Sequence, residues 1–139
     1  MIDQIITGIA IKLGQLFPTA TVYVEPIEQD MQTPAFYVHC IDADSRDNFG
    51  IHRQNLPFEI VYFPLNGSAD IYATLQDLLL NAGLITLQNG ETLRGTKLNG
   101  QPIDDVLHFF VNYDVNLKIV MAPVDVMEEI KITGGIENG

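Results

Sequence analysis

The chain has 139 residues, of which 47% are hydrophobic and 18% are charged. This composition is ordinary for a globular domain with one core, and it excludes disordered, collagen-like and coiled-coil proteins. Eighteen carboxylates against seven lysines and arginines give a formal net charge of −11. Such a surface repels phosphate backbones, so we expect no specific nucleic-acid binding. The same charge also serves solubility.

Three further features bear on the cellular compartment. Polar side chains interrupt the densest apolar stretch, residues 107–121, so no run is long enough to cross a bilayer. Asp3 stands where a secretory signal would carry a basic residue. The single cysteine, Cys40, has apolar neighbours typical of a small core residue. We therefore expect neither a membrane span nor secretion, and a reducing compartment.

The first half of the chain predicts one helix and three strands. Apolar residues recur at three- and four-residue steps from Ile2, which predicts a helix that ends near Phe17. Strands are predicted at residues 21–25, 35–41 and 51–63, and Pro57 in the third indicates a bulge or an edge position. The polar stretch between the second and third strands, residues 42–50, predicts a hairpin loop or an exposed arm.

The second half predicts another helix and three more strands. A helical pattern follows the turn at Asn66-Gly67, includes Tyr72 and Leu79 in its apolar stripe, and ends at Gly83. Residues 84–88 and 92–98 predict a hairpin, because the Asn-Gly pair between them readily adopts the positive φ angles of a tight turn.

The last strand has the clearest pattern in the chain. Apolar residues occupy alternate positions from Leu107 to Ile119, and most of the intervening residues are polar. A period of two is the signature of a strand with one buried face. We therefore expect one apolar face and one mostly solvated face.

The order of elements indicates an α+β fold: helix, three strands, helix, three strands. Successive strands joined by turns favour a mostly antiparallel sheet with both helices packed on one face. We expect residues 1–123 to form a single domain. Residues 124–139 are predicted to be an acidic C-terminal strand, over residues 126–132, or a mobile tail.

Two loops resemble ligand-binding motifs but depart from them. The segment that starts at Asp42 and contains Asp44 and Asp47 lacks the sixth-position glycine and the closing glutamate of a calcium loop. Residues 90–97 have the glycine spacing of a phosphate loop, yet the lysine and the hydroxyl residue come in the wrong order and a strand follows. Neither loop predicts a bound ion.

No catalytic constellation emerges from the remaining polar residues. His39, His52 and His108 fall on separate predicted strands with no shared spacing, so solvated or core histidines are expected, although a metal site assembled in three dimensions stays open. His39 and Cys40 are adjacent on a strand and should point to opposite faces, which prevents a nucleophile–base pair. We predict no catalytic residue, no metal and no cofactor.

Two runs carry a family resemblance. LRGTKL at residues 93–98 and DVLHFFVNY at residues 105–113 resemble the C-terminal half of phage tail terminator proteins from prophages of Gram-positive bacteria. The FEIVYFP strand at residues 58–64 and the segments between residues 24 and 36 are also similar. The likeness extends over residues 2–117.

The resemblance implies a structural virion protein rather than an enzyme. Such proteins are expected to cap the tail tube, end its polymerisation and provide the surface for head–tail joining, commonly as hexameric rings. The implied partners are further copies of the chain, the tail tube protein and head–tail connector proteins, with DNA passing through the ring and no small-molecule substrate. The implied location is the head-proximal end of the virion tail, assembled in the bacterial host cytoplasm. The alternatives are another head–tail connector or neck protein, or an unrelated small ligand-binding domain.

A ring requires subunit contacts, and exposed hairpins and strand edges readily supply them. The candidate contact residues belong to the polar stretch; they are Asp44, Arg46, Asp47, Asn48 and Phe49, with Phe49 exposed at the tip. An ordinary mobile loop is the alternative. The candidate carboxylates of the ring lumen are Asp104, Asp105, Glu128 and Glu129, and their alternative role is to solvate the outside of the ring.

Overall fold

The computed structural model describes residues 1–48 and 50–118, without the side chains of Asp44, Asp47, Asn48 and Lys118. This part of the chain has two helices and eight strands. They are α1 (Ile2–Leu16), β1 (Thr21–Tyr23), β2 (Ala35–Cys40), β3 (Asp44–Asn48), β4 (Ile51–Phe63), α2 (Ser68–Asn81), β5 (Leu84–Thr86), β6 (Thr92–Arg94), β7 (Thr96–Ile103) and β8 (Val106–Lys118). The predicted α+β fold and element order are confirmed, with two additions among the strands. Strand β3 lies within the predicted loop or arm, and the predicted strand at residues 92–98 is divided into β6 and the start of β7.

The main sheet has the order β1-β2-β4-β8-β7, and β3 pairs with β4. The β1–β2 pair is parallel, whereas the β2–β4, β3–β4 and β7–β8 pairs are antiparallel. Strands β5 and β6 form a separate two-stranded antiparallel sheet. The prediction of a mostly antiparallel sheet is therefore confirmed.

Pro57 does not mark a sheet edge, because β4 lies between β2 and β8. It marks the place where β4 changes partner: residues 51–55 pair with β3, and residues 58–63 pair with β2. A residue without a backbone N–H is tolerated where one ladder ends and another begins.

Both helices cover the same face of the sheet. The ring of Phe36 on β2 lies 5.0 Å from that of Phe17, the residue directly after α1. Tyr62 is the β4 residue opposite Phe36, and its hydroxyl donates a hydrogen bond to Asp70 of α2. Directly paired residues point to the same face, so the predicted one-sided packing of the helices is confirmed.

Each helix buries one row of side chains and leaves others exposed. Helix α1 buries Ile5, Ile9 and Leu13, which lie one turn apart, and Pro18 prevents its continuation. Helix α2 buries Ile71, Thr74 and Leu78. The helix predicted from this spacing is present, but Tyr72 and Leu79 lie outside its buried face, with side chains 61% and 41% exposed.

Strand β8 follows the predicted alternation. Leu107, Phe109, Val111 and Tyr113 are at most 1% exposed, Val115 is also buried, and Leu117 is half-buried. The opposite face is less solvated than predicted, because Asn112 is only 8% exposed. Ile119 lies outside the described residues.

The chain divides into two compact units. The first contains Met1–Asp42 and Leu56–Tyr113, and it includes both helices and all of the described buried hydrophobic residues except Val115. The second contains Ala43–Asn55 and, among the described residues, 114–118. The predicted domain limit at residue 123 and the predicted tail at residues 124–139 lie outside the described part and remain predictions. Within the described part, no helix is long and apolar enough to span a membrane.

Candidate assembly surfaces

The predicted arm is a paired β-hairpin. Strand β3 pairs with residues 51–55 of β4, and Gly50, with φ +81°, lies in the turn between them. We call β3 and residues 51–55 the arm hairpin. Ser45 and Arg46 are exposed on it. Phe49 lies outside the described residues, as do the side chains of Asp44, Asp47 and Asn48, so their contact role remains a prediction.

Two arginines of the arm hairpin stand directly opposite each other. The register pairs Arg46 of β3 with Arg53 of β4, and both side chains are exposed. Arg53 Nε donates a weak hydrogen bond to Asn116 Oδ1 at 3.3 Å. Among the described side chains, no carboxylate forms an ion pair with either guanidinium. Like charges in directly opposed positions destabilise a strand pair, so the two guanidinium groups repel each other on one face of the arm hairpin. The hairpin as a whole has no formal net charge, because it also contains Asp44 and Asp47.

Asp104 and Asp105 form the two-residue turn between β7 and β8. Their φ angles are +52° and +62°, and the flanking residues Ile103 and Val106 are paired. Positive φ at both central residues is the pattern of a type I′ hairpin turn. Both aspartates are exposed, which suits either a lumen or the outside of a ring. Glu128 and Glu129, the other candidate lumen carboxylates, lie outside the described residues.

A groove lies between the end of α1 and α2, with a volume of about 390 Å³. Its apolar lining residues include Phe17, Pro18 and Leu65, and its carboxylates are Asp70 and Asp77. No lysine, arginine or histidine is among the described residues that line it. We call this the acidic groove. Sequence reasoning missed it, because its walls come from the α1 end, the residues before β2, the end of β4 and α2.

The two carboxylates of the acidic groove differ in their partners. Asp70 Oδ2 accepts hydrogen bonds from the Tyr62 hydroxyl at 2.7 Å and from the backbone N–H of Leu65 at 3.2 Å. Burial, together with the bond to Asp70, raises the pKa of Tyr62 to about 12. Asp77 is exposed, and no described residue forms a hydrogen bond or an ion pair with its carboxylate. Asp70 Oδ2 therefore supports the fold, whereas Asp70 Oδ1 and the Asp77 carboxylate accept no hydrogen bond from a described residue and are available to a partner.

A family model described as phage tail terminator protein matches residues 4–124. The chain belongs to the phage tail terminator family. The resemblance stated from the sequence is confirmed, and the chain is a structural component of phage tail assembly that interacts with other virion proteins. No curated protein matches the chain in a sequence comparison.

In this tail terminator family member, three strands of the sheet are linked by one carboxylate. His39 Nε2 lies 2.7 Å from Glu59 Oε1, and His108 Nδ1 lies 2.6 Å from Glu59 Oε2. The three side chains are 34%, 15% and 30% exposed for His39, Glu59 and His108. They belong to β2, β4 and β8. Hydrogen bonds to both carboxylate oxygens fix the two rings and join the strands side to side.

Sequence reasoning did not find this histidine pair. It placed the histidines on separate strands, but strands β2, β4 and β8 become neighbours only through the sheet order. The third histidine, His52, lies on the arm hairpin opposite Asp47. In the described part of the chain, no group of three or more histidine, cysteine, aspartate or glutamate residues has an arrangement that could hold a metal ion. The hydrogen bonds to Glu59 thus explain the positions of the His39 and His108 rings.

Cys40 differs from its predicted position in the core. It is half-buried, and its Sγ donates to the backbone oxygen of Asp42 at 3.1 Å. Burial raises the pKa of the thiol and so favours its protonated form. His39 is hydrogen-bonded to Glu59 rather than to Cys40. These two neighbours therefore form separate contacts, as the strand geometry predicts.

Proposed function

We propose that the protein forms a hexameric ring that closes a completed tail tube, ends its polymerisation and provides the surface for head–tail joining. The observation that carries this proposal is the family match over residues 4–124. The presence of two exposed arginines on the arm hairpin and of an acidic groove on the same subunit supports it. A ring is built from heterologous contacts, and these need two different, complementary patches on each subunit.

The proposed partners are further copies of the chain, the tail tube protein and head–tail connector proteins. The proposed location is the head-proximal end of the tail, after assembly in the host cytoplasm. Origin from a prophage of a Gram-positive bacterium remains an expectation. We propose no enzymatic activity, because the family is structural.

Tail tubes growing from purified tube protein test this function. Addition of the protein should stop elongation and place one extra ring of density at a single end of each tube in electron micrographs. Continued elongation in its presence would contradict the capping role. Binding to isolated head connectors without any effect on tubes would favour the alternative of a neck protein. The unrelated ligand-binding alternative is disfavoured by family membership.

We also propose that the ring lumen is lined by carboxylates, which lets DNA pass without binding. The exposed Asp104-Asp105 turn supports this role for two of the four candidates, and Glu128 and Glu129 complete the proposed set. Like charge across about one Debye length, roughly 8 Å at physiological salt, keeps a duplex away from the wall.

The structure of an assembled ring tests the lumen proposal. Carboxylates should face the channel, and duplex DNA should not bind at physiological salt. A channel lined mainly by Lys12, Arg53, Arg94 and Lys97 would overturn the proposal, and so would measurable duplex binding.

A further inference from the structure

We infer that the arm hairpin of one subunit docks into the acidic groove of the next copy, with Arg46 and Arg53 meeting Asp77 and Asp70. This inference rests on the proposed ring, and it identifies which surfaces would join its subunits. It comes from charge complementarity between the two exposed arginines of the arm hairpin and the two carboxylates of the acidic groove.

The acidic groove has the chemistry of an arginine-binding site. Phe17, Pro18 and Leu65 give it an apolar lining against which the methylene stem of a long basic side chain can pack. Its two carboxylates lie seven residues apart on α2, about 10 Å along the helix axis. A guanidinium binds a carboxylate with two parallel hydrogen bonds, and the exposed, unpaired Asp77 is the natural acceptor.

The arm hairpin presents the matching charges. Arg46 and Arg53 are directly opposed, with Cβ atoms about 5 Å apart for such a pair, and their long side chains can diverge toward two acceptors. Contact with two carboxylates would relieve the repulsion between the guanidinium groups. The chain has only seven lysines and arginines. Two of them form this exposed pair, whose charge is opposite to that of the groove carboxylates, so the proposed occupant of the groove is a second copy of the chain.

The contact is heterologous, so each subunit uses its arm on one neighbour and its groove on the other. A contact of this kind repeats around a ring until the rotation closes. Exposed ion pairs are individually weak and are screened by salt. Docking of this kind therefore predicts weak, salt-sensitive association of the free subunits.

Charge reversal tests the inference. The full chain would be compared by sedimentation velocity at several hundred micromolar and low salt as wild type, as Arg46→Glu and as Asp77→Lys. Each variant should associate at least about tenfold more weakly, because like charges then face each other across every contact. An equimolar mixture of the two variants should regain association, since each arm meets a groove of opposite charge when the variants alternate.

Recovery in the mixture separates a lost contact from a misfolded variant. Arg94→Glu and Asp3→Lys are the matched controls, because both residues are exposed and carry the same charge changes away from the arm and the groove. These controls should associate like wild type. The inference is overturned if both test variants associate like wild type, if the mixture gains nothing, or if wild type shows no self-association. Tube capping that survives either test variant would overturn only this contact and leave the proposed function standing.

Discussion

Tyr62 connects the sheet to α2 through its hydroxyl group. Its side chain is 4% exposed, its ring lies 4.8 Å from that of Phe36, and its hydroxyl donates to Asp70. The pKa of Tyr62 is raised from 10.0 to about 12, first by burial and then by the bond to the Asp70 carboxylate. An ionised phenolate at this position would be both desolvated and repelled by Asp70.

The raised pKa of Tyr62 predicts a loss of stability in alkaline solution. The folded state holds this proton more tightly than the unfolded state, so the stabilisation is complete below pH 10 and disappears as the pH rises through about 12. Tyr62→Phe should therefore flatten the fall in unfolding free energy between pH 10 and 12, as measured by urea unfolding. Some fall should remain, because burial also raises the pKa of Tyr113.

Tyr72→Phe is the matched control for Tyr62→Phe, because Tyr72 lies on the same helix with 61% of its surface exposed. This variant should retain the wild-type pH dependence. Identical curves for wild type and Tyr62→Phe would show that the Tyr62 proton is held no more tightly in the folded protein.

Strand β8 contributes the largest block of buried side chains of any single element. Phe109 is fully buried, and Phe109→Ala should reduce the free energy of unfolding by about 3 to 5 kcal/mol, because it leaves a cavity. The sequence predicts a far smaller loss for Asn112→Ala. Since Asn112 is buried, we now expect about 1 to 3 kcal/mol for removal of this polar side chain. Equal and small losses in denaturant unfolding of both variants would contradict the observed register.

How well each element can be predicted from the sequence depends on which interactions stabilise it. Helix α1 and strand β8 have regular apolar periodicity, so their limits and buried faces were accessible from the sequence. Strand β3 is entirely polar, DSRDN, and its extended conformation depends on pairing with β4. On α2, periodicity identified an apolar helix but could not show that Thr74 would be buried while Tyr72 faces outward.

The candidate surfaces were predictable only where one segment forms them. The arm was recognised, because its polar residues are consecutive in the chain. The acidic groove and the Glu59 contacts combine residues from distant segments, and no local pattern records which strands become neighbours. The sequence identified Asp104 and Asp105 as a carboxylate cluster. Their positive φ angles could not be inferred without the β7–β8 register, which places them in a two-residue turn.

At the scale of the whole molecule, net charge opposes self-association. Each subunit carries a formal charge of −11, so copies in solution repel one another until a specific contact or a template holds them together. If the protein has the proposed capping function, free assembly would also consume it before any tail was complete. The purified protein should therefore be mostly monomeric at micromolar concentration and should assemble on tube ends.

Sedimentation velocity at micromolar concentration measures this directly, with and without tubes. A species of monomer mass should dominate without tubes, and the protein should cosediment with tubes when they are added. A stable hexamer at nanomolar concentration, in the absence of tubes, would contradict the requirement for a template.

At the Asp104-Asp105 turn, the residues that supply negative charge are not the residues that would give the most stable backbone. Asparagine followed by glycine adopts the two positive φ angles with less strain, so the double variant Asp104→Asn with Asp105→Gly should make a more stable subunit. The same change removes two negative charges. If the variant resists urea better than wild type yet produces rings that retain DNA, selection has held these residues in a costly backbone conformation for their charge. The excess folding stability of the variant would then measure how strongly the virion depends on an unobstructed channel.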